Sequence, residues 1–234
     1  MRAKFKDPAY FQSYIALNDE DIQFYKNGLQ KGSINPDRID AVNRQLFTTS
    51  LHTVIAKYSA GFPVTDLQSD LLEVIDLLKE GWQNKGSRIR FDNYVLMIWM
   101  ISLGLLLEIK DSDFEKIVEV FDDSLQTDYL YDMIISFKLP NRIINPQVSY
   151  PKEYGYLVTF YETRDVVLLK KYLDNDWYKK MKQTYWYDND KNRNDVFFGY
   201  WSFESAAFMK ILGLEDTILK SQQYYPYDLL HWNS

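Results

Sequence analysis

Apolar residues recur every three or four positions along nearly all of this chain, the spacing of helices that bury one face. Start signals fall where that pattern begins. Asp7-Pro8 and Asn35-Pro36 each place a capping side chain before a proline, whose missing N–H would be unpaired in a first turn anyway. They predict helices from Pro8 to about Leu29, stopped by Lys31-Gly32, and from Pro36 to about Ala60, stopped by Gly61. Thr65 is the expected cap of a third helix reaching Trp82, with Leu67, Leu71, Leu72, Ile75 and Leu78 on its apolar face. A fourth helix is expected from Asp92 to Leu107. Ser112 and Glu115 have capping-box spacing for a fifth, and a sixth follows from about Asp128 to Leu139. Pro140, Pro146 and Pro151 then punctuate a loop. Beyond it the pattern predicts one long helix from Tyr154 to Leu173, another from Asp176 to about Tyr187, and a last from Trp201 to Leu212, closed by Gly213. No stretch sustains strand alternation, so the expected fold class is all-α.

The longest apolar run, Tyr94 to Leu107, is bracketed by Asp92 and Glu108 and falls short of the about 20 residues a membrane span needs. It reads as a central helix buried all round, and no membrane partner is expected. Met1 to Pro8 has basic residues with no apolar stretch behind them, so no secretory signal is read.

The most distinctive residues lie near the end: Phe197-Phe198-Gly199-Tyr200-Trp201-Ser202-Phe203-Glu204-Ser205-Ala206-Ala207, continuing through Leu212-Gly213-Leu214 to Tyr224-Tyr225-Pro226-Tyr227-Asp228. Earlier in the chain stand Asp7, Tyr10-Phe11, Tyr14-Ile15, Asn18 and Ile22, then Leu46-Phe47 and Ile55-Ala56-Lys57-Tyr58-Ser59-Ala60-Gly61. Together they resemble the PoNi family, bacterial immunity proteins that neutralise polymorphic nuclease effector toxins. The resemblance implies two adjacent helical modules forming a compact helical bundle, residues 1–126 and 127–234. It also implies a cytoplasmic protein whose partner is a cognate nuclease toxin and which is not an enzyme, since stoichiometric binding suffices to block the toxin's active site or its access to DNA.

Composition removes several chemistries. There is no cysteine, so disulfides, zinc-thiolate sites and cysteine nucleophiles are excluded. The two histidines, His52 and His231, are far apart and give no zinc spacing. His52 reads as a packed structural residue, and His231 lies near a chain end where disorder is expected. No glycine-rich phosphate loop is present. No catalytic residue, cofactor or metal site is assigned. Lys170, Lys171, Lys179, Lys180 and Lys182 stand among aromatics but are diluted by Asp174 and Asp176, and the net charge is −6, so direct nucleic-acid binding is not expected. The loop from Asp188 to Asp195 has acids where a calcium loop begins, but Arg193 and Gly199 occupy its glycine and glutamate positions. It reads as a solvated loop. Gly199 reads as a tight approach to a helix, Trp201 and Phe203 as core anchors, and Glu204 as a carboxylate near a helix N-terminus. Tyr224, Tyr225 and Tyr227 are candidates for a contact surface.

The strongest feature read from residues alone is acidic. Between Glu108 and Asp132, nine acids face two bases, Lys110 and Lys116, a surplus of seven negative charges. At about 100° per residue, Asp111, Glu115, Glu119, Asp122 and Asp123 share one side of the fifth helix, while Phe114, Ile117, Val118, Phe121 and Leu125 share the other. Such a ridge is either the ordinary solvated face of a surface helix or a phosphate-like surface for a basic partner. The candidate contact residues are therefore Asp111, Glu115, Glu119, Asp122 and Asp123, with Asp188, Asp190 and Asp195 from the loop. A helical scaffold for some other basic protein is the alternative function. The sequence leaves the oligomeric state open.

Overall fold

The computed structural model describes residues 1–84 and 88–233. Among them are eleven α-helices and no strand, so the chain is all-α. It divides into two compact units, one formed by Met1–Gln83 with Asp188–Gly199, the other by Asn84–Tyr187 with Tyr200–Ser234.

In the first unit, α1 (Pro8–Gln30) packs on α2 (Ile39–Ala60), and α2 packs on α3 (Val64–Gly81). Asp7 starts α1 as the sequence suggests, its carboxylate accepting the Tyr10 N–H at 2.8 Å. A 3-10 turn, Pro36–Arg38, precedes α2, with Asn35 accepting from the Asp37 N–H. Gly61 ends α2 at φ 97°, a left-handed position open to glycine. The Arg2 guanidinium then caps that helix end, donating to the Tyr58 and Phe62 carbonyls at 3.1 and 2.8 Å, where the helix dipole favours a cation. The α3 start departs from expectation: it begins at Val64 behind Pro63, and Thr65 makes no capping bond, its hydroxyl turning to Asp66. Leu72 is exposed, because the buried stripe runs through Leu67, Leu71, Val74, Ile75 and Leu78. Helices α2 and α3 approach closely at Gly81, where a Cβ would come within 2.4 Å of the Phe47 Cβ.

The second unit is built on α4 (Phe91–Leu106), buried from Asn93 to Leu106 as the unbroken apolar run requires. Against it pack α5 (Asp111–Asp123), α6 (Tyr129–Lys138) and α10 (Phe203–Leu212). Three helix expectations change here. Asp111 is already inside α5 and Ser112 caps nothing, so the capping box does not form. The long helix breaks into α7 (Pro151–Thr163) and α8 (Val166–Asn175): Arg164 adopts φ 54°, and Asp165 recaps the chain through the Leu168 N–H at 3.0 Å. The hairpin stacks Tyr156 on Tyr172, centroids 3.8 Å apart. Of the helix expected from Asp176 to Tyr187 only one turn, α9 (Trp177–Lys180), is helical. The segment after it folds as turns around buried Trp177, Met181 and Trp186. The last unit element, α11 (Tyr227–His231), is ordered against expectation: His231 Nε2 lies 2.8 Å from buried Asp216, and Trp232 Nε1 donates to the Leu106 carbonyl at 3.0 Å.

Among the described residues no helix is long and apolar enough to cross a membrane, and no group of acids and histidines has the arrangement of a metal site.

Candidate functional site

On α5, Phe114, Ile117, Val118, Val120 and Phe121 are buried, and all five ridge carboxylates point to solvent. Their environments differ. Asp111 is paired with Lys138 at 2.8 Å and Asp122 with Arg142 at 2.7 Å. Arg142 also holds Asp132, at 2.7 Å, so one guanidinium joins a surface acid to a buried one. Glu108, Asp113 and Asp128 are used as well: Glu108 by Lys210 at 2.6 Å, Asp113 by Lys116 at 2.9 Å, and Asp128 as the buried cap of α6. Asp128 also accepts from the Tyr94 hydroxyl and the Ser149 N–H. Six of the nine acids are thereby paired with a base or buried, most of them by partners distant in sequence. Glu115, Glu119 and Asp123 keep no ion pair among the described residues. One apolar assignment fails: Leu125 is 88 % exposed, because α5 ends at Asp123 and Leu125 takes φ 54° beyond it.

The acidic loop belongs to the first unit. Asp188 and Asp195 both have positive φ, at 60° and 51°, and a short 3-10 turn, Asn189–Lys191, carries Asp190. Lys191 pairs with Asp188 at 2.8 Å. The ridge and the loop lie in different compact units. Directly after the loop, the chain is held by residues of the first two helices. The Tyr10 hydroxyl donates to the Phe197 carbonyl at 3.0 Å and accepts the Phe197 N–H at 2.8 Å. Ser59 Oγ donates to the Phe198 carbonyl at 2.7 Å, and the His52 ring lies flat on Phe198, centroids 4.1 Å apart. Desolvation there, with the Arg44 charge nearby, pulls the His52 imidazole down to about 3, so it stays neutral and structural.

Glu204 is a buried acid rather than a surface cap. It is fully buried in the first turn of α10, and its Oε1 accepts from Ser202 Oγ at 2.6 Å, Trp177 Nε1 at 2.9 Å and the Tyr156 hydroxyl at 3.1 Å. Its Oε2 has no hydrogen-bond partner among the described residues. Burial raises its carboxyl above the usual range, and the three donors only partly offset that. Gly199 reaches φ 132° just before this cluster, and Trp201 and Phe203 are buried as expected.

The chain was compared with known proteins. Residues 2–119 match the family model described as PoNe immunity protein (PoNi), N-terminal, and residues 126–229 match the one described as PoNe immunity proteins (PoNi), C-terminal. The chain belongs to the PoNe immunity proteins. Among solved structures it is similar to the crystal structure of protein PA2201 from Pseudomonas aeruginosa, with 17 % identity and a TM-score of 0.70, over 99 % of this chain and 90 % of that one. At that identity the likeness is one of fold. No curated protein matches.

Two of the three candidate tyrosines of this PoNi protein pack within their own unit: Tyr225 is buried with its hydroxyl on Asp216 at 2.7 Å, and half-buried Tyr224 packs on Trp177. Of the lysines, Lys170 pairs with Asp174 and Lys180 lies over the Tyr172 ring. Sequence reasoning missed the Glu204 cluster because its donors come from Tyr156 and Trp177, which local spacing does not connect.

Proposed function

We propose that this PoNi protein binds a cognate nuclease toxin stoichiometrically, in the cytoplasm and without catalysis, and blocks its active site or DNA-binding cleft. The observation that carries this reading is the match to both immunity-protein models along almost the whole chain. The ridge supports it: Glu115, Glu119 and Asp123 form an unpaired carboxylate row on one helix face, a charge pattern suited to a basic nucleic-acid cleft, and its field would speed encounter. Asp111 and Asp122 complete the row at its ends, already tied to bases. The loop acids Asp188, Asp190 and Asp195 are proposed as secondary contacts. We keep the two sequence modules, 1–126 and 127–234, as the proposed family division, which differs from the division into packing units.

The test is DNA cleavage by the toxin encoded beside this gene, titrated with the purified protein. Loss of cleavage near one equivalent supports direct immunity. Undiminished cleavage with no complex on a sizing column rejects it for that toxin.

A further inference from the structure

In the first unit, α1, α2 and α3 enclose a trough of about 310 Å³. That lies at the small end of ligand pockets, which span roughly 300–1,000 Å³. Each helix contributes residues three and four apart, the spacing of one face. Buried Ile22, Val54 and Val74 supply apolar walls, and the charged groups stand around them.

Those charges are nearly, but not fully, matched. Lys57 is held by both oxygens of Asp70, at 3.0 and 2.9 Å, and Lys26 reaches from α1 to Glu73 on α3 at 3.3 Å. Asp19 is the acid left over. It makes no ion pair or side-chain hydrogen bond among the described residues, and the trough carries three acids against two bases. Asp19 is exposed, yet what desolvation the trough imposes, with Asp70 and Glu73 nearby, disfavours its charged form, and Lys57 offsets this only in part. An arriving cation would relieve that repulsion, and the apolar walls would take its methylenes.

We infer that this trough is a socket for one basic side chain, an arginine or lysine, presented by the protein partner, with Asp19 as its counter-charge. The inference rests on the proposed binding of a toxin, and it places a contact on the first unit, distinct from the α5 ridge. A lysine stem or arginine stem lies along Ile22, Val54 and Val74, and its head group sits between Asp19 and Glu73.

Two arms test it. In the first, the full-length protein is titrated by NMR with N-acetylarginine amide and with its neutral citrulline counterpart. The arginine compound is expected to shift the Thr53 and Lys57 amides at millimolar concentration. The citrulline compound is expected to leave them in place, and Asp19→Asn to remove the arginine response. Equal shifts from both compounds, or none, overturn the socket. In the second, toxin binding is measured for the wild type and Asp19→Lys, with unchanged thermal unfolding as the control for folding. Asp19→Lys is expected to weaken binding by about tenfold or more, the effect of placing a like charge in a contact. Undiminished binding overturns the assignment to the partner. If the wild type itself binds no toxin, the immunity reading has failed, and the arginine arm still decides whether the socket exists.

Discussion

The Tyr10 hydroxyl and the Phe197 backbone exchange two hydrogen bonds, one in each direction, across 187 residues of sequence. A hydroxyl can donate and accept at once, so one side chain satisfies both polar groups of one residue. Ser59 Oγ donates to the next carbonyl, that of Phe198. The segment Asp188–Gly199 is thereby fixed to the helices of the first unit, although its flanking residues belong to the second. Tyr10→Phe leaves the Phe197 N–H and carbonyl without that partner. It is expected to cost about 1–3 kcal/mol in denaturant unfolding, and Ser59→Ala a smaller amount.

Gly81 touches α2 so closely that Gly81→Ala must move Phe47 or the Asn43 carbonyl, 2.8 Å from the new Cβ. Overpacking of this kind is expected to cost about 1–3 kcal/mol, read as a lower midpoint with an unchanged denaturant slope. A midpoint equal to that of the wild type would show that the helix pair has slack there.

Arg142 joins Asp122 at the surface to Asp132, 3 % exposed. Arg142→Ala leaves a buried carboxylate without its cation and is expected to destabilise by about 3–5 kcal/mol. By contrast, reversing Glu115, Glu119 and Asp123 together to lysine breaks no ion pair. That triple variant should unfold like the wild type but lose inhibition of the toxin, with the loss shrinking at high salt. Retained inhibition removes the ridge from the interface.

Glu204 makes stability depend on pH. Its folded carboxyl titrates above its unfolded value, so the folded state holds the proton more tightly. The resulting stabilisation is complete below the ordinary glutamate range and is lost as pH rises from there through the raised folded value. Glu204→Gln should flatten that part of the pH profile. Glu204→Ala removes the acceptor for Trp177, Ser202 and Tyr156 and is expected to cost about 2–4 kcal/mol at every pH. Equal pH profiles for wild type and Glu204→Gln would contradict the burial argument.

Helix positions were legible wherever a local signal sufficed. Asp7 and Asn35 cap where the sequence suggests, Gly61 and Gly213 end helices in left-handed conformations, and the run through α4 is buried all round. Two errors fall where a non-glycine residue takes positive φ, and two others where an expected cap, Thr65 or Ser112, makes no capping bond. Arg164 splits one expected helix, and Leu125 turns outward after α5. Neither has a compositional mark: both side chains are exposed, and nothing in the residue type announces the turn.

The sequence by itself determined an all-α chain, its family, and which face of α5 is acidic, because periodicity, caps and charge counts are local properties. Only the tertiary structure decided which of those acids remain free. Lys138, Arg142 and Lys210 come from other elements to neutralise Asp111, Asp122 and Glu108, and donors from three segments surround Glu204. The trough around Asp19 was likewise unreadable beforehand, since its walls come from three helices and a cavity is a property of how they pack, not of any one of them.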